Sequence, residues 1–134
     1  MIYDILEARL VAIGLVPGKT LFRETFPASV NVGVFTRVPL TGVEINHEMT
    51  DWYRTRMQVV VRHSDPVDGA DMAKRVSSAL TMLNSQTYPA TAERGETMIR
   101  HFLPETIPVR FPALEGNGFE WATYFIAAFG MRAA

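Results

Sequence analysis

A predicted hairpin in residues 103–130 is the feature that most constrains the fold. Residues 109–111 form a short extended run between two prolines, and each proline biases the residue before it toward extended geometry. The Gly-Asn-Gly sequence at residues 116–118 favours a tight reversal, because asparagine and glycine tolerate positive φ. Residues 119–129 are rich in aromatic and β-branched side chains in both alternating positions, which predicts a strand that is central in a sheet or lies at an interface.

Two other stretches predict helices. Apolar residues recur at helical spacing over residues 2–13, and Gly14 is expected to end this first helix. Asp65 is followed by a proline and, three residues on, by a second aspartate, which is typical of a capped helix start. We expect this second helix to extend to Asn84. Its predicted buried face comprises Ala73, Val76, Leu80 and Leu83.

Alternating side chains predict further strands. These strands are expected at residues 20–26, 30–37, 56–62 and 97–103. Residues 41–55 are more polar and are interpreted as a long connection with the character of an extended arm, and residues 85–95 as a surface loop. This order of elements predicts an α+β fold, a mostly antiparallel sheet with two helices packed on one face.

Length and composition exclude several classes of protein. The 134 residues fit one domain, so we treat residues 1–134 as a single unit. The 13 basic and 14 acidic residues nearly cancel, which leaves no overall field to attract nucleic acid or an anionic membrane. Cysteine is absent, which excludes disulfides and thiolate chemistry. We predict no signal peptide, because charged residues interrupt the first apolar positions, and no apolar run approaches the roughly 20 residues of a membrane span.

No residue pattern predicts an active site. The histidines are His47, His63 and His101. They stand too far apart for a local metal-ligand motif, and the chain has no G-x-S-x-G nucleophile motif. The acidic residues of the polar connection, Glu44, Glu48 and Asp51, lack the burial or charged neighbour that acid–base catalysis requires. The residues alone therefore predict a domain without a recognisable active site and without a metal or cofactor site.

Arginines and aromatic residues are the remaining candidates for binding. The arginines of interest are Arg54, Arg56, Arg62, Arg94, Arg100 and Arg110. They are scattered among acids, so surface or interface pairs are favoured over nucleic-acid contacts. Trp52 and Tyr53 lie in a polar stretch, and large aromatic side chains outside a core are enriched as anchors at protein interfaces. Core and interface positions both stay open for these two residues.

Three segments together resemble one protein family. They are TRVPLTGVEINHE at residues 36–48, RMQVVVRHSDPVDGADMAKRVSSAL at residues 56–80 and LPETIPVRFPALEGNGFEW at residues 103–121. In order and character these segments resemble the tail terminator proteins of long-tailed bacteriophages, also called tail completion or minor capsid proteins. The resemblance runs from about residue 32 to residue 129 and includes no catalytic signature.

The resemblance implies a structural role in the virion and a protein that is not an enzyme. Such a protein is a small α+β subunit that forms a homohexameric ring on the end of the finished tail tube. The ring stops tube growth and provides the surface to which the DNA-filled head is joined. The implied partners are other copies of the chain, the tail tube protein and the head-tail connector protein, with DNA passing through the channel and no membrane. The implied location is the virion tail, assembled in the host bacterial cytoplasm.

A ring of this kind needs two different surfaces on each subunit, because every copy contacts the next in a head-to-tail manner. The first expected surface comprises Trp52, Tyr53, Arg54 and Arg56. The second expected surface comprises Arg110, Glu115 and Asn117. The residues expected to face the channel, where negative charge would let DNA slide without sticking, are Glu44, Glu48 and Asp51.

Two alternatives stay open at this point. One is another structural protein of the same particle, either a head-tail connector or a tail tube subunit, and an endless polymer in solution would favour the tube subunit. The other is a small ligand-binding domain or enzyme whose site is assembled from distant residues. That site would be formed by His63, His101 and Glu120, and a deep pocket joining them would support it.

Overall fold

The computed structural model describes residues 2–24, 31–38, 42–49, 51–110 and 118–131. Within these residues there are two helices, α1 (Tyr3–Val11) and α2 (Pro66–Leu80), and one mostly antiparallel sheet. The strands are β1 (Leu21–Arg23), β2 (Gly33–Arg37), β3 (Glu44–Ile45), β4 (Trp52–His63), β5 (Gln86–Tyr88), β6 (Thr97–Pro104), β7 (Val109–Arg110) and β8 (Phe119–Met131). The predicted α+β fold is confirmed.

Two long strands form the centre of the sheet. The strand order is β1-β2-β4-β8-β6-β5, and only the β1–β2 pair is parallel among the described strands. β4 and β8 pair along their length, from Trp52 opposite Gly130 to His63 opposite Phe119. At about 3.3 Å per residue this pair is about 36 Å long. Trp52 and His63 therefore lie at opposite ends of the sheet centre.

The helices cover one face of the sheet. Met57, Val59 and Val61 of β4 point toward α1 and α2 and are buried with them in one apolar core, as the alternation predicted. Their partners in β8 are Phe125, Thr123 and Trp121. The predicted central position of residues 119–129 is confirmed, because β8 lies between β4 and β6.

Local hydrogen bonds define the start of α2 and the end of α1. The Asp65 carboxylate accepts hydrogen bonds from the backbone N–H groups of Val67 and Asp68 at 2.8 and 2.9 Å, which confirms the predicted cap. These bonds lower the pKa of Asp65. At the end of α1, Gly14 has a φ of 102° and donates to the Val11 carbonyl, closing the turn as expected.

The predicted end of the second helix is wrong. The helix ends at Leu80 because Thr81 adopts extended backbone geometry. This change of geometry moves Leu83 out of the predicted buried face, and its side chain is 75% exposed. Met82 is buried instead and pairs with Phe102 of β6.

The prediction of a long connection at residues 41–55 is also wrong. β3 lies within this stretch, and its last four residues, 52–55, are the start of β4. Arg54, one of the polar residues in this stretch, lies on the sheet face that the helices leave uncovered, so its polarity does not mark an arm. The predicted loop at residues 85–95 likewise contains β5, a three-residue strand at the sheet edge.

Other strand boundaries differ in part from the predictions. β1 begins at Leu21 and ends at Arg23, since Glu24 has a φ of 68°, and residues 25 and 26 of the predicted strand lie outside the described residues. β2 begins at Gly33 and not at residue 30. β7 pairs with β8 in antiparallel register, as the hairpin prediction requires. The predicted turn at residues 116–118 lies outside the described residues except for Gly118.

A buried ion pair ties the chain before β6 to α1. Arg94 is 5% exposed, and its guanidinium donates to both carboxylate oxygens of Asp4 at 3.1 Å. The same guanidinium donates to the carbonyls of Pro89 and Gly95 and to the hydroxyl of Thr97. A buried arginine with this many acceptors is structural, which fits none of the surface roles considered for it from the sequence.

Candidate subunit interface

The candidate site lies on the sheet face opposite the helices, which we call the open face. In β4 its side chains are Trp52, Arg54, Arg56, Gln58, Val60 and Arg62. At the centre Val60 packs with Phe35 and Ala122 in a small buried apolar cluster. The open face therefore carries a row of arginines beside a small apolar centre.

Two arginines further along β4 on the open face, Arg56 and Arg62, have partners within the subunit. Arg56 donates to the Glu105 carboxylate at 2.8 Å and lies 4.5 Å from the centre of the Tyr124 ring. Arg62 donates to Glu120 at 3.0 Å, in a pair that is mostly shielded from solvent. These carboxylates leave little capacity for a further partner at Arg56 and Arg62.

A groove at the start of β4 contains arginines without such partners. The groove has a volume of about 410 Å³ and is lined by Glu44, Ile45, Asn46, His47, Met49, Trp52, Tyr53, Arg54, Arg100 and Ala128. Its two arginines are exposed, and neither forms a hydrogen bond or ion pair with another of the residues described. Ile45 and Met49 are 60% and 47% exposed. We call this site the arginine groove.

Trp52 and Tyr53, for which core and interface positions were both open, face opposite sides of the sheet. Trp52 is half-buried, and a Cβ atom added to Gly130 would lie 3.2 Å from its indole. The indole therefore lies directly against the glycine backbone. Tyr53 packs against Phe129 on the helix-covered side, with ring centres 5.6 Å apart. Trp52 borders the groove with part of its ring accessible.

The acidic residues expected to face the channel lie on or beside the β3–β4 hairpin. Glu44 is in β3, and Glu48 and Asp51 follow it; all three are exposed. Asp51 has a φ of 65°, and its carbonyl accepts a hydrogen bond from the Met131 N–H. Among the described residues no group of three or more acidic or histidine side chains is arranged to hold a metal ion.

At the far end of the sheet, β7 and the start of α2 both contact Trp121 of β8. Arg110 lies 5.4 Å from the centre of the Phe119 ring, and Phe119 is opposite His63. The Trp121 ring touches the α2 backbone at Gly69. Ile107 and Val109 beside Arg110 are 81% and 54% exposed. The other two residues of the second expected surface, Glu115 and Asn117, lie outside the described residues.

The residues of the alternative ligand site are not brought together. Glu120 is on the open face and pairs with Arg62, whereas His63 follows on the other face. His101 is opposite Ala128, eight positions along β8 from Glu120 and therefore about 26 Å away. Three pockets lined by described residues include none of these three side chains.

Sequence reasoning missed Arg100, Ile45 and Met49 as members of the groove. Arg100 is in a strand that was predicted, but its position near Arg54 depends on the pairing of both strands with β8. No local pattern reports that pairing. The face on which Trp52 lies could have been predicted from the sequence. The alternation of Met57, Val59 and Val61 continues backward through Thr55 and Tyr53, which places Trp52 on the other face.

Comparison with known proteins identifies the family. No curated protein matched the chain. No helix in the described part of the chain is long and apolar enough to cross a membrane. Residues 9–129 match the family described as "Bacteriophage tail terminator protein". That match covers most of the sequence and agrees with the resemblance of the three segments, so the chain belongs to the bacteriophage tail terminator family.

Proposed function

We infer that the protein forms a homohexameric ring that caps the tail tube, stops tube polymerisation and provides the surface for joining the head. Membership of the tail terminator family over residues 9–129 is the observation that carries this proposal. The role is structural, with no bond made or broken. The partners are the tail tube protein and the head-tail connector protein, and the ring is assembled in the host bacterial cytoplasm and stays in the virion tail.

The geometry of the subunit supports head-to-tail association. The first expected surface, around Trp52 and Arg54, is at one end of the β4–β8 pair, and the second, around Arg110, is at the other. Both ends combine a cation with exposed apolar side chains. Two different surfaces on each subunit are what head-to-tail association requires, and such association gives a closed ring when the rotation between neighbours closes.

Charge reversal tests these surfaces. We expect the wild-type protein to have a mass several times its 15.0 kDa protomer in light scattering, and Arg54→Glu or Arg110→Glu to lower that mass toward the protomer. Lys19→Glu, at an exposed turn, is the matched control. Arg56→Glu is a less direct probe, because it also breaks the pair with Glu105.

The outcomes separate the alternatives. If both variants elute as intact rings, the assigned surfaces are wrong. If the wild-type protein grows into an endless polymer, the tube-subunit alternative is favoured. The capping activity itself is measured by adding the protein to polymerising tail tube subunits, where we expect tube growth to stop; continued growth would contradict the capping role.

We further propose that Glu44, Glu48 and Asp51 face the channel, with Glu44 at the border between the channel and the arginine groove, which it also lines. Their exposed positions on the β3–β4 hairpin are compatible with this arrangement, and negative charge would keep DNA from adhering. Neutralisation to glutamine, glutamine and asparagine should slow DNA passage in assembled particles. Asparagine suits position 51 because it tolerates positive φ. Unchanged DNA passage in the triple variant would contradict this assignment.

A further inference from the structure

Some arginines of the open face form ion pairs within the subunit, and others do not. Arg56 and Arg62 each hold a carboxylate of the same subunit. Arg54 and Arg100 line the arginine groove without an ion pair to any described residue, although Glu44 is directly opposite Arg54 in the strand register. A guanidinium binds carboxylates in a forked, charge-assisted geometry. The groove therefore has the capacity to bind two carboxylates from outside the subunit.

The groove also has exposed apolar surface that a binding partner would cover. Met49 is well exposed near the two arginines, and Trp52 closes the groove on the side of Gly130. Nucleic-acid phosphates would pair with the arginines but would leave the exposed Met49 side chain uncovered. A protein segment that carries two carboxylates next to an apolar side chain satisfies both requirements.

The start of α2 is a segment of this kind. Val67 is 76% exposed, and Asp68 and Asp71 are exposed one residue and four residues further on. Spacings of three and four residues place these side chains on the same face of a helix. Asp71 is engaged only by a solvent-exposed contact of 3.6 Å to Arg75, and such pairs contribute little.

The start of α2 lies at the opposite end of the sheet from the groove. Gly69 touches Trp121, which is two residues from Phe119 at the far end of β8, whereas the groove adjoins Trp52 and Ala128. One subunit therefore cannot fill its own groove, but a neighbour placed head to tail can.

We propose that the first two turns of α2 of one copy dock into the arginine groove of the next copy. Asp68 and Asp71 pair with Arg54 and Arg100, and Val67 packs against Met49. This contact rests on the proposed ring and adds to it a specific pair of surfaces, with α2 lying beside β7 in the same interface.

A charge-exchange experiment tests the contact. Arg54→Glu/Arg100→Glu places acids in the groove opposite the acidic helix, and Asp68→Lys/Asp71→Lys places bases on the helix opposite the basic groove. Each variant alone should lose the ring and elute as a protomer. Mixing the two variants should restore the ring, because each groove then meets a helix of opposite charge. The control Lys19→Glu should keep the ring, and circular dichroism confirms that each variant is folded.

Cross-linking gives a second measurement that does not depend on charge. The chain has no cysteine, so Arg54→Cys/Asp68→Cys introduces the only thiols. Oxidation should yield a ladder of covalent oligomers that ends at the closed ring, whereas Lys19→Cys/Asp68→Cys should yield protomers only.

The outcomes distinguish this contact from the ring itself. A wild-type protein that stays a protomer at every concentration overturns the ring and the contact with it. A wild-type ring that persists in both charge variants, without a cysteine ladder, overturns the contact and leaves the ring standing. Loss of the ring without restoration on mixing also counts against the contact.

Discussion

The two faces of the sheet are built on different principles. On the helix-covered face, side chains such as Phe102 and Phe125 have no exposed surface and stack with ring centres 4.7 Å apart. On the open face, arginines are held by carboxylates, an amide and a tyrosine ring. Close packing tolerates little change in volume, whereas partly solvated ion pairs contribute modestly. The covered face therefore determines stability, and the open face is free to change for recognition.

Adjacent residues of β8 give the sharpest contrast between the faces. Phe125→Ala should lower the free energy of unfolding by about 3–5 kcal/mol, because it leaves a cavity in the core. Tyr124→Phe, on the open face, removes only a hydrogen bond of 3.4 Å from Gln58 and should cost less than about 1 kcal/mol. Urea denaturation measures both. Equal losses of unfolding free energy in the two variants would contradict the proposed difference between the faces.

The buried ion pair of the core should contribute more to the free energy of unfolding than an ion pair of the open face does. Asp4→Asn removes the charge that faces the buried Arg94 and should lower the free energy of unfolding by about 1.5–3 kcal/mol. Glu120→Gln, opposite Arg62, which is less buried than Arg94, should cost less, on the order of 1 kcal/mol. Thermal and urea denaturation of both variants test this order. A larger cost for Glu120→Gln would show that the open face is structural as well.

Two glycines extend the contrast to backbone contacts. An alanine at position 69 would overlap the Trp121 ring, so Gly69→Ala should cost about 1–3 kcal/mol. Gly130→Ala brings a methyl group to 3.2 Å from the half-buried Trp52 indole, which can shift toward solvent, and should cost less than about 1 kcal/mol. Combining Gly69→Ala with Trp121→Phe should recover part of the loss; an additive result would contradict the overlap.

The smallest effect concerns the cap of α2, which holds the covering helix. The folded pKa of Asp65 is below its unfolded value, so the cap stabilises the protein above the unfolded pKa and loses this effect as the pH falls through the folded one. Melting temperature should therefore fall on acidification in the wild type more than in Asp65→Asn, which keeps the acceptor but does not titrate. Parallel pH profiles for the two proteins would contradict this role.

The sequence predicted the parts of the fold that depend on local chemistry. The cap at Asp65, the closing turn at Gly14 and the strand at residues 119–129 each follow from residues close in the chain. The first residues of β4 were misread, because the arginines on its open face resemble a loop. A polar alternating strand and a polar loop differ only in what pairs with them, and that is decided by β8.

The candidate site was less predictable than the fold. Trp52 and Arg54 were selected from the sequence and lie in the arginine groove. Arg56 was selected with them but is held by Glu105, 49 positions away in the chain. Whether an arginine is occupied or available depends on such distant carboxylates, and no local pattern encodes them.

The pairing of β4 with β8 also bears on synthesis of the protein. About 55 residues separate His63 from Phe119, and the central strand β4 lacks its longest partner until that much more chain has left the ribosome. A nascent chain therefore carries an unpaired β4 edge, and translation stopped before β8 yields no complete sheet centre. Such a truncated product would be a target for proteolysis before it could reach an assembling virion.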